Sequence, residues 1–176
     1  MKKIFLFIAA IFTFAFVSCG GGKKNEDSNQ TVPVGMIEFD LSKYGKNVVI
    51  NIPDSTNGLL SVEDIGGAIR IMVGKTFQVE VKEGEGNMDM KKNEDIKKNE
   101  VYKFDKFSVE EPNAIIYSWH MEGGQPEFRM FATSKIGNVI YEVEDVAGEV
   151  FTESACQKML ESAKSLRAKE PKKAGT

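Results

Sequence analysis

Histidine and cysteine are nearly missing from this chain: among 176 residues there is one histidine, His120, and there are two cysteines, Cys19 and Cys156. A single histidine removes most routes to a Ser-His-Asp triad and excludes any zinc site built from several imidazoles. Positive charge is not in excess either. The 23 basic residues face 26 acidic ones, and affinity for nucleic acid rests on clustered Lys and Arg, so no nucleic-acid partner is expected. Long apolar runs are absent as well. The longest, residues 4–17, has 14 residues broken only by Thr13, whereas a membrane-spanning helix needs about 20. Gly84-x-Gly86 lacks the third glycine of a dinucleotide loop, and Gly66-Gly67 runs into a strand-like segment, so no phosphate cradle is indicated. Asp89, Glu94, Asp95 and Glu100 lack the spacing and central glycine of a calcium loop; their interleaved lysines point to a salt-bridged surface. No cofactor, metal or catalytic set is therefore expected. A carboxylate pair for glycoside cleavage stays open, because its separation is a property of space rather than of sequence.

What the chain does carry starts at its beginning. Met1-Lys2-Lys3 followed by the apolar residues 4–17 has the basic and hydrophobic regions of an export signal. The run stops at Ser18-Cys19-Gly20. Phe16-Val17-Ser18-Cys19 resembles the lipobox of bacterial lipoproteins, with Phe16 where Leu is commonest and Ser18 where Ala or Gly is commonest; lipoproteins of the Bacteroidetes tolerate such variants. The resemblance implies that residues 1–18 are a signal peptide, that the Cys19 thiol receives a diacylglyceryl group, and that palmitate-like chains then hold the protein to a membrane. One acyl chain binds only marginally, and further chains at about 0.8 kcal/mol per buried methylene make the anchor stable. The alternative is a secreted protein cleaved at a small-x-small site, and no such pair lies just upstream of Cys19. Gly20 offers no acidic retention signal for the inner membrane, which implies the outer membrane with the domain facing the periplasm. Lys24-Asn25-Glu26-Asp27 partly resembles the charged signals of surface-exported Bacteroidetes lipoproteins, so the cell surface stays open.

Residues 19–35 are polar and Gly-rich, the composition of a flexible tether behind the lipidated cysteine. Residues 36–168 are expected to form a single domain, with Phe39, Phe77, Phe104, Phe107, Phe128, Phe131 and Phe151 available to its core. Residues 169–176 read as a disordered basic tail. Alternation of period two predicts strands over 37–41 and 48–52, the second closed by Pro53-Asp54-Ser55. Further strands are expected over 68–73 and 76–82, joined by Gly74-Lys75 as a two-residue type II′ loop. A meander over 114–120, 127–133 and 139–144 follows, its short loops requiring antiparallel pairing. Thr152 can cap a helix from Glu153 to about Arg167 with Ala155, Cys156, Met159, Leu160, Ala163 and Leu166 on one face. Cys156 is then a packing residue rather than a nucleophile, and with Cys19 lipidated it has no disulfide partner. Residues 88–104 form a weaker helical candidate whose repeat, Lys91-Lys92-Asn93-Glu94 and Lys97-Lys98-Asn99-Glu100, reads as a solvated face.

The fold class expected from this order is α+β: a curved antiparallel sheet of about six to seven strands, packed by a C-terminal amphipathic helix and by a second, weaker helix. Val48-Val49-Ile50-Asn51-Ile52-Pro53-Asp54-Ser55, the hairpin centred on Gly137 and the closing segment from Val150-Phe151-Thr152-Glu153 to Leu166 resemble the Mog1/PsbP-like fold over about residues 36–168. The whole also resembles small Bacteroidetes lipoproteins of unassigned function. These resemblances imply a non-enzymatic protein that binds other proteins or assists assemblies. Three classes follow: a lipid-anchored binding or accessory module of the envelope, an immunity or inhibitor lipoprotein that blocks a toxin or hydrolase, and an envelope hydrolase using carboxylates. The candidate binding rim is Trp119, His120 and Glu122, where a strand ends in a Gly-rich turn; the same residues also fit an ordinary strand end. Expected partners are the bilayer, through Cys19, and an envelope protein.

Overall fold

The computed structural model of the chain describes residues 32–171. The expected signal peptide, Cys19, most of the tether and residues 172–176 of the tail lie outside the described residues. Strand β1 (Met36–Asp40) pairs antiparallel with β2 (Val48–Pro53), from Met36 opposite Pro53 to Asp40 opposite Val49. All six residues of β2 are buried, because one of its faces meets the C-terminal helix and its other neighbours are strands. On the far side of β2 lies β10 (Arg167–Ala168), a two-residue strand, and the three make a small separate sheet.

The main sheet is antiparallel throughout and has seven strands: β3 (Leu60–Ile65), β4 (Ala68–Val73), β5 (Phe77–Glu83), β6 (Lys103–Glu111), β7 (Ala114–His120), β8 (Glu127–Ile136) and β9 (Val139–Asp145), in the order β3-β4-β5-β9-β8-β7-β6. The first two strands thus stand apart from it, and two strands absent from the sequence expectation complete it. One is β3, in which only Val62 is half-buried against the core and every other residue is exposed, so that it shows no clear alternation. Its remaining signal is Gly66-Gly67, a two-residue turn with both φ values positive between Ile65 and Ala68, as a type I′ hairpin requires. The other is β6. Two register shifts, between Phe104 and Lys106 and between Phe107 and Val109, break its period, and the resulting spacing of three between Phe104 and Phe107 imitates a helix.

The helix expected over 88–104 is accordingly shorter. It comprises α1 (Met88–Met90) continued by a π-helical turn, Lys91–Ile96. Asn87 caps it by accepting from Met90 N at 2.9 Å, and Asn99 closes the exit by accepting from Val101 and Tyr102 N. Phe104 belongs to β6. The Gly74-Lys75 loop is also corrected: Val73 pairs with Phe77, leaving three residues between the strands. Gly74 turns away from its own hairpin and donates to Leu59 O at 3.1 Å. A Cβ on Gly58 would lie 2.5 Å from the Gly74 Cα, and one on Gly74 would lie 2.8 Å from Asn57 O. Only glycine fits at both positions of this backbone contact.

Helix α2 (Glu153–Lys164) packs on one face of the main sheet and on β2. Thr152 Oγ1 accepts from Ala155 N at 3.2 Å, supplying one of the four first-turn N–H groups with a partner. The helix stops at Lys164, short of Arg167, because Arg167 and Ala168 leave it to pair with Val49 and Val48. Cys156, Met159 and Ala163 are fully buried against Ile50, Ile52 and Val79 in the larger core. Serines fasten α2 to β2: Ser162 Oγ donates to Asn51 O, and Ser165 Oγ accepts from Asn51 N at 2.8 Å. No helix among the described residues is long and apolar enough to cross a membrane.

Burial pushes the Cys156 thiol up to about 12, so it stays protonated at neutral pH. Cys156→Ala should lower stability by on the order of 1–3 kcal/mol through a small cavity, measured by denaturant unfolding. The native wild type should react with a thiol reagent only as fast as it opens. Rapid modification in the folded state would contradict the packing.

Candidate functional site

The sheet face opposite α2 is crossed by one continuous rung: Glu63, Arg70, Glu80, Glu144, Phe131, Ile115 and Glu110 are direct neighbours on successive strands from edge to edge. Its first four positions are charged and the next two apolar. This division organises the whole face, because an aromatic half needs cover and a charged half does not.

Cover comes from α1 and its π-helical turn. Met88 and Ile96 are buried against Ile115, Tyr117 and Phe131, with Phe104, Phe107 and Trp119 packed beside them. The lysines of the helix bridge the two halves. Lys91 Nζ is 3.1 Å from Glu144 Oε2 and 4.8 Å from the Phe131 ring centroid; Lys92 Nζ is 3.0 Å from Glu110 and 5.9 Å from the Phe107 centroid. The first copy of the Lys-Lys-Asn-Glu repeat is therefore a clamp on the sheet rather than a solvated face. In the second copy Lys97 also lies over Phe107, while Lys98 pairs with Glu94 in solvent.

The charged half stays open. Arg70 meets Glu80 through Nε and Nη2 at 2.9 and 2.6 Å and reaches Glu63 at 3.6 Å. Lys82 is bonded to Glu144, and Glu142 accepts from Gly86 N at 3.0 Å. Burial works to raise the Glu144 carboxyl, but Lys91 and Lys82 outweigh it and hold the group below its ordinary value. Burial likewise works to lower Lys82, and its bond to Glu144 outweighs that and raises it. Both stay ionised at neutral pH. Between this network and α1 lies a cleft of about 300 Å³ lined by Lys82, Glu85, Lys91, Asp95, Phe131 and Glu142. Lys82, Lys91, Asp95 and Glu142 are engaged in ion pairs, an arrangement that suits recognition of a polar partner more than proton transfer.

The sequence-derived rim lies at the other end of the face. Trp119 and His120 end β7 and Glu122 follows in the turn, so the three are close along the chain. They do not form one patch, because successive strand residues point to opposite faces. Trp119 is enclosed: Tyr102 stacks on it at 4.4 Å, Tyr117 meets it edge-on at 5.2 Å, and the Arg129 guanidinium lies 6.0 Å from its ring centroid. His120 Nδ1 pairs with Asp105 Oδ1 at 2.7 Å, and Glu122 reaches only Lys103, at 3.6 Å. Asp105 arrives there because the register shift in β6 frees it from the ladder. Among the described residues no group of three or more His, Cys, Asp and Glu side chains gathers as a metal site would require.

Sequence reasoning missed Arg129 and Asp145. Arg129 Nε lies 2.6 Å from Asp145 Oδ2, and the side chains are 12% and 2% exposed. Asp145 Oδ1 accepts from Met130 N at 2.6 Å, and Arg129 donates to Val146 O and Glu149 O. The pair joins the ends of β8 and β9 to the loop that leads to α2. The available signal was a lone arginine in the otherwise apolar Phe128-Arg129-Met130-Phe131. Burial pushes the Asp145 carboxyl up to about 6, against the pull of Arg129, and burial also raises the Tyr117 hydroxyl beside it.

A carboxyl raised on folding holds its proton longer in the native state, so its penalty is absent below about pH 4 and complete above about pH 6. Asp145→Asn, which keeps the shape without the charge, should therefore gain relative to wild type by up to about 3 kcal/mol as pH rises through this window. Paired urea melts at intervals between pH 4 and 7 measure the difference, and a flat or opposite trend would refute it. No protein-family model, curated protein or solved structure matches the chain.

Proposed function

We propose that the protein is a lipid-anchored accessory module of the bacterial outer membrane that binds an envelope protein through the open, charged half of its main sheet. The observation that carries this reading is the half-covered face: α1 closes the aromatic side, while Arg70, Glu80, Lys82 and Glu144 keep part of their surface exposed beside the cleft. Interfaces that read charge patterns in this way gain specificity and encounter rate more than affinity. The anchor rests on Lys2, Lys3, the apolar residues 4–17 and the lipobox-like Phe16-Val17-Ser18-Cys19. We read the fold as Mog1/PsbP-like on the strength of the antiparallel sheet and α2, and the domain as facing the periplasm. The immunity and hydrolase readings gain no observation of their own: Trp119 is enclosed by Tyr102 and Arg129, and the cleft carboxylate Glu142 is held by Gly86 N.

Two experiments test this reading. Cys19→Ser should abolish acyl labelling and either release the protein from membranes or leave an uncleaved precursor; retention of an unacylated chain in the membrane would refute the anchor. Affinity capture of the tagged, full-length protein from its own envelope should yield a stoichiometric partner that Arg70→Gln loses at least tenfold. The partly exposed ion pairs broken by that change are worth about 1 kcal/mol or less, so thermal unfolding should shift by only a few degrees. Equal capture by both proteins would remove the charged half from the interface.

A further inference from the structure

The two outer strands of the main sheet are protected very differently. Strand β6 carries two register shifts and the lysines Lys103 and Lys106, devices that keep an edge from pairing with another chain. Strand β3 has none of these. It is in uninterrupted register with β4 from Leu60 opposite Val73 to Ile65 opposite Ala68, it contains no proline, lysine or arginine, and among the described residues no strand lies on its outer side. Three large apolar side chains sit exposed on or beside it: Leu59 at 90%, Leu60 at 44% and Ile65 at 45%.

We propose that this edge pairs with the β3 edge of a second copy of the chain, antiparallel about a two-fold axis at Val62, so that the two sheets become one. The register follows from the alternation of faces. A two-fold axis normal to the sheet keeps each side chain on its own face, so facing residues must differ by an even number, and the axis must pass through a residue. At Glu63 or Asp64 it would set like acids directly against each other, which destabilises a strand pair. At Ser61 it would carry Ile65 past the end of the partner's strand. At Val62 it places Val62 against Val62 of the partner subunit, Ser61 against Glu63 of the partner subunit and Leu60 against Asp64 of the partner subunit. Leu59 then meets Ile65 of the partner subunit, twice by symmetry. No two acids face each other, and the most exposed apolar residue of the edge is covered. Glu63 remains free to hold Arg70, which it already meets at 3.6 Å on its own sheet.

Cysteine cross-linking in membranes from cells making the full-length protein tests both the pairing and its register. In the proposed dimer the two residues at position 62 have Cα atoms about 4.5–5.5 Å apart, within disulfide reach. Those at position 60 are offset by four residues, about 14 Å along the strand. On mild oxidation Val62→Cys should give a covalent dimer at least tenfold faster than Leu60→Cys, with the wild type as background for Cys19 and Cys156. Circular dichroism of each purified variant checks that the fold is retained. Light scattering of the wild type in detergent, at tens of micromolar, should report a dimer that Leu59→Lys converts to monomer. A monomeric wild type, equal rates at positions 60 and 62, or cross-linking of Val62→Cys to a different protein would each overturn the proposal.

Discussion

The main-chain groups of Asn51 are met by the side chains of Ser162 in α2 and Ser165 just beyond its end, and much of the molecule depends on that junction. Strand β2 needs partners on both edges, yet β10 supplies only Arg167 and Ala168, opposite Val49 and Val48. Beyond that point Ser162 and Ser165 take over the work of a missing strand, one donating to Asn51 O and the other accepting from Asn51 N. A buried main-chain group without a partner costs free energy comparable to a lost hydrogen bond. The two serines thus let a short strand suffice, and they set the position of α2 along β2. Because α2 also fills the inner face of the main sheet through Cys156 and Met159, one polar junction aligns the small sheet with the core.

The opposite face is governed by electrostatics rather than by fit. Glu144 accepts from both Lys82 and Lys91, so one carboxylate ties the sheet to the helix that covers its aromatic half. Placing Lys91 over Phe131 adds attraction to the ring face without a second anion. At the far end Arg129 and Asp145 are taken out of water together, at a desolvation cost that their contact offsets only in part. Such a pair favours one arrangement of the β8–β9 end over others. Near it Trp119 Nε1 is buried with no hydrogen-bond partner among the described residues, so the aromatic end combines dense packing with an unmet donor.

How much of this was legible depended on whether local chemistry and tertiary placement agreed. Thr152 and the spacing of Ala155, Cys156, Met159 and Ala163 carry the information for α2 locally, so the sequence suffices there. The seven-stranded antiparallel sheet follows in outline from alternation and short loops, but β6 was hidden because its bulges reset the alternation between Phe104 and Phe107. Strand β3 was hidden because Val62 alone packs on the core, and one half-buried residue in an exposed edge makes no alternating pattern. The rim residues Trp119, His120 and Glu122 were found as neighbours in sequence, but their pairing could not be: Trp119 depends on Tyr102 and Arg129, and His120 on Asp105, all set by strand register. The Arg129–Asp145 pair joins positions 16 apart through a hairpin, and no short window contains it.

The contact between Gly58 and Gly74 has a consequence for descent. Neither site tolerates even a methyl group, since each would drive it into the other segment's backbone, while the loops around them face solvent and are free to vary. Relatives that have lost every other visible likeness would still have to keep two glycines at this spacing, one just before β3 and one just after β4. A pattern pairing them with the Gly-Gly turn between those strands would then trace the lineage of this fold where overall similarity has faded.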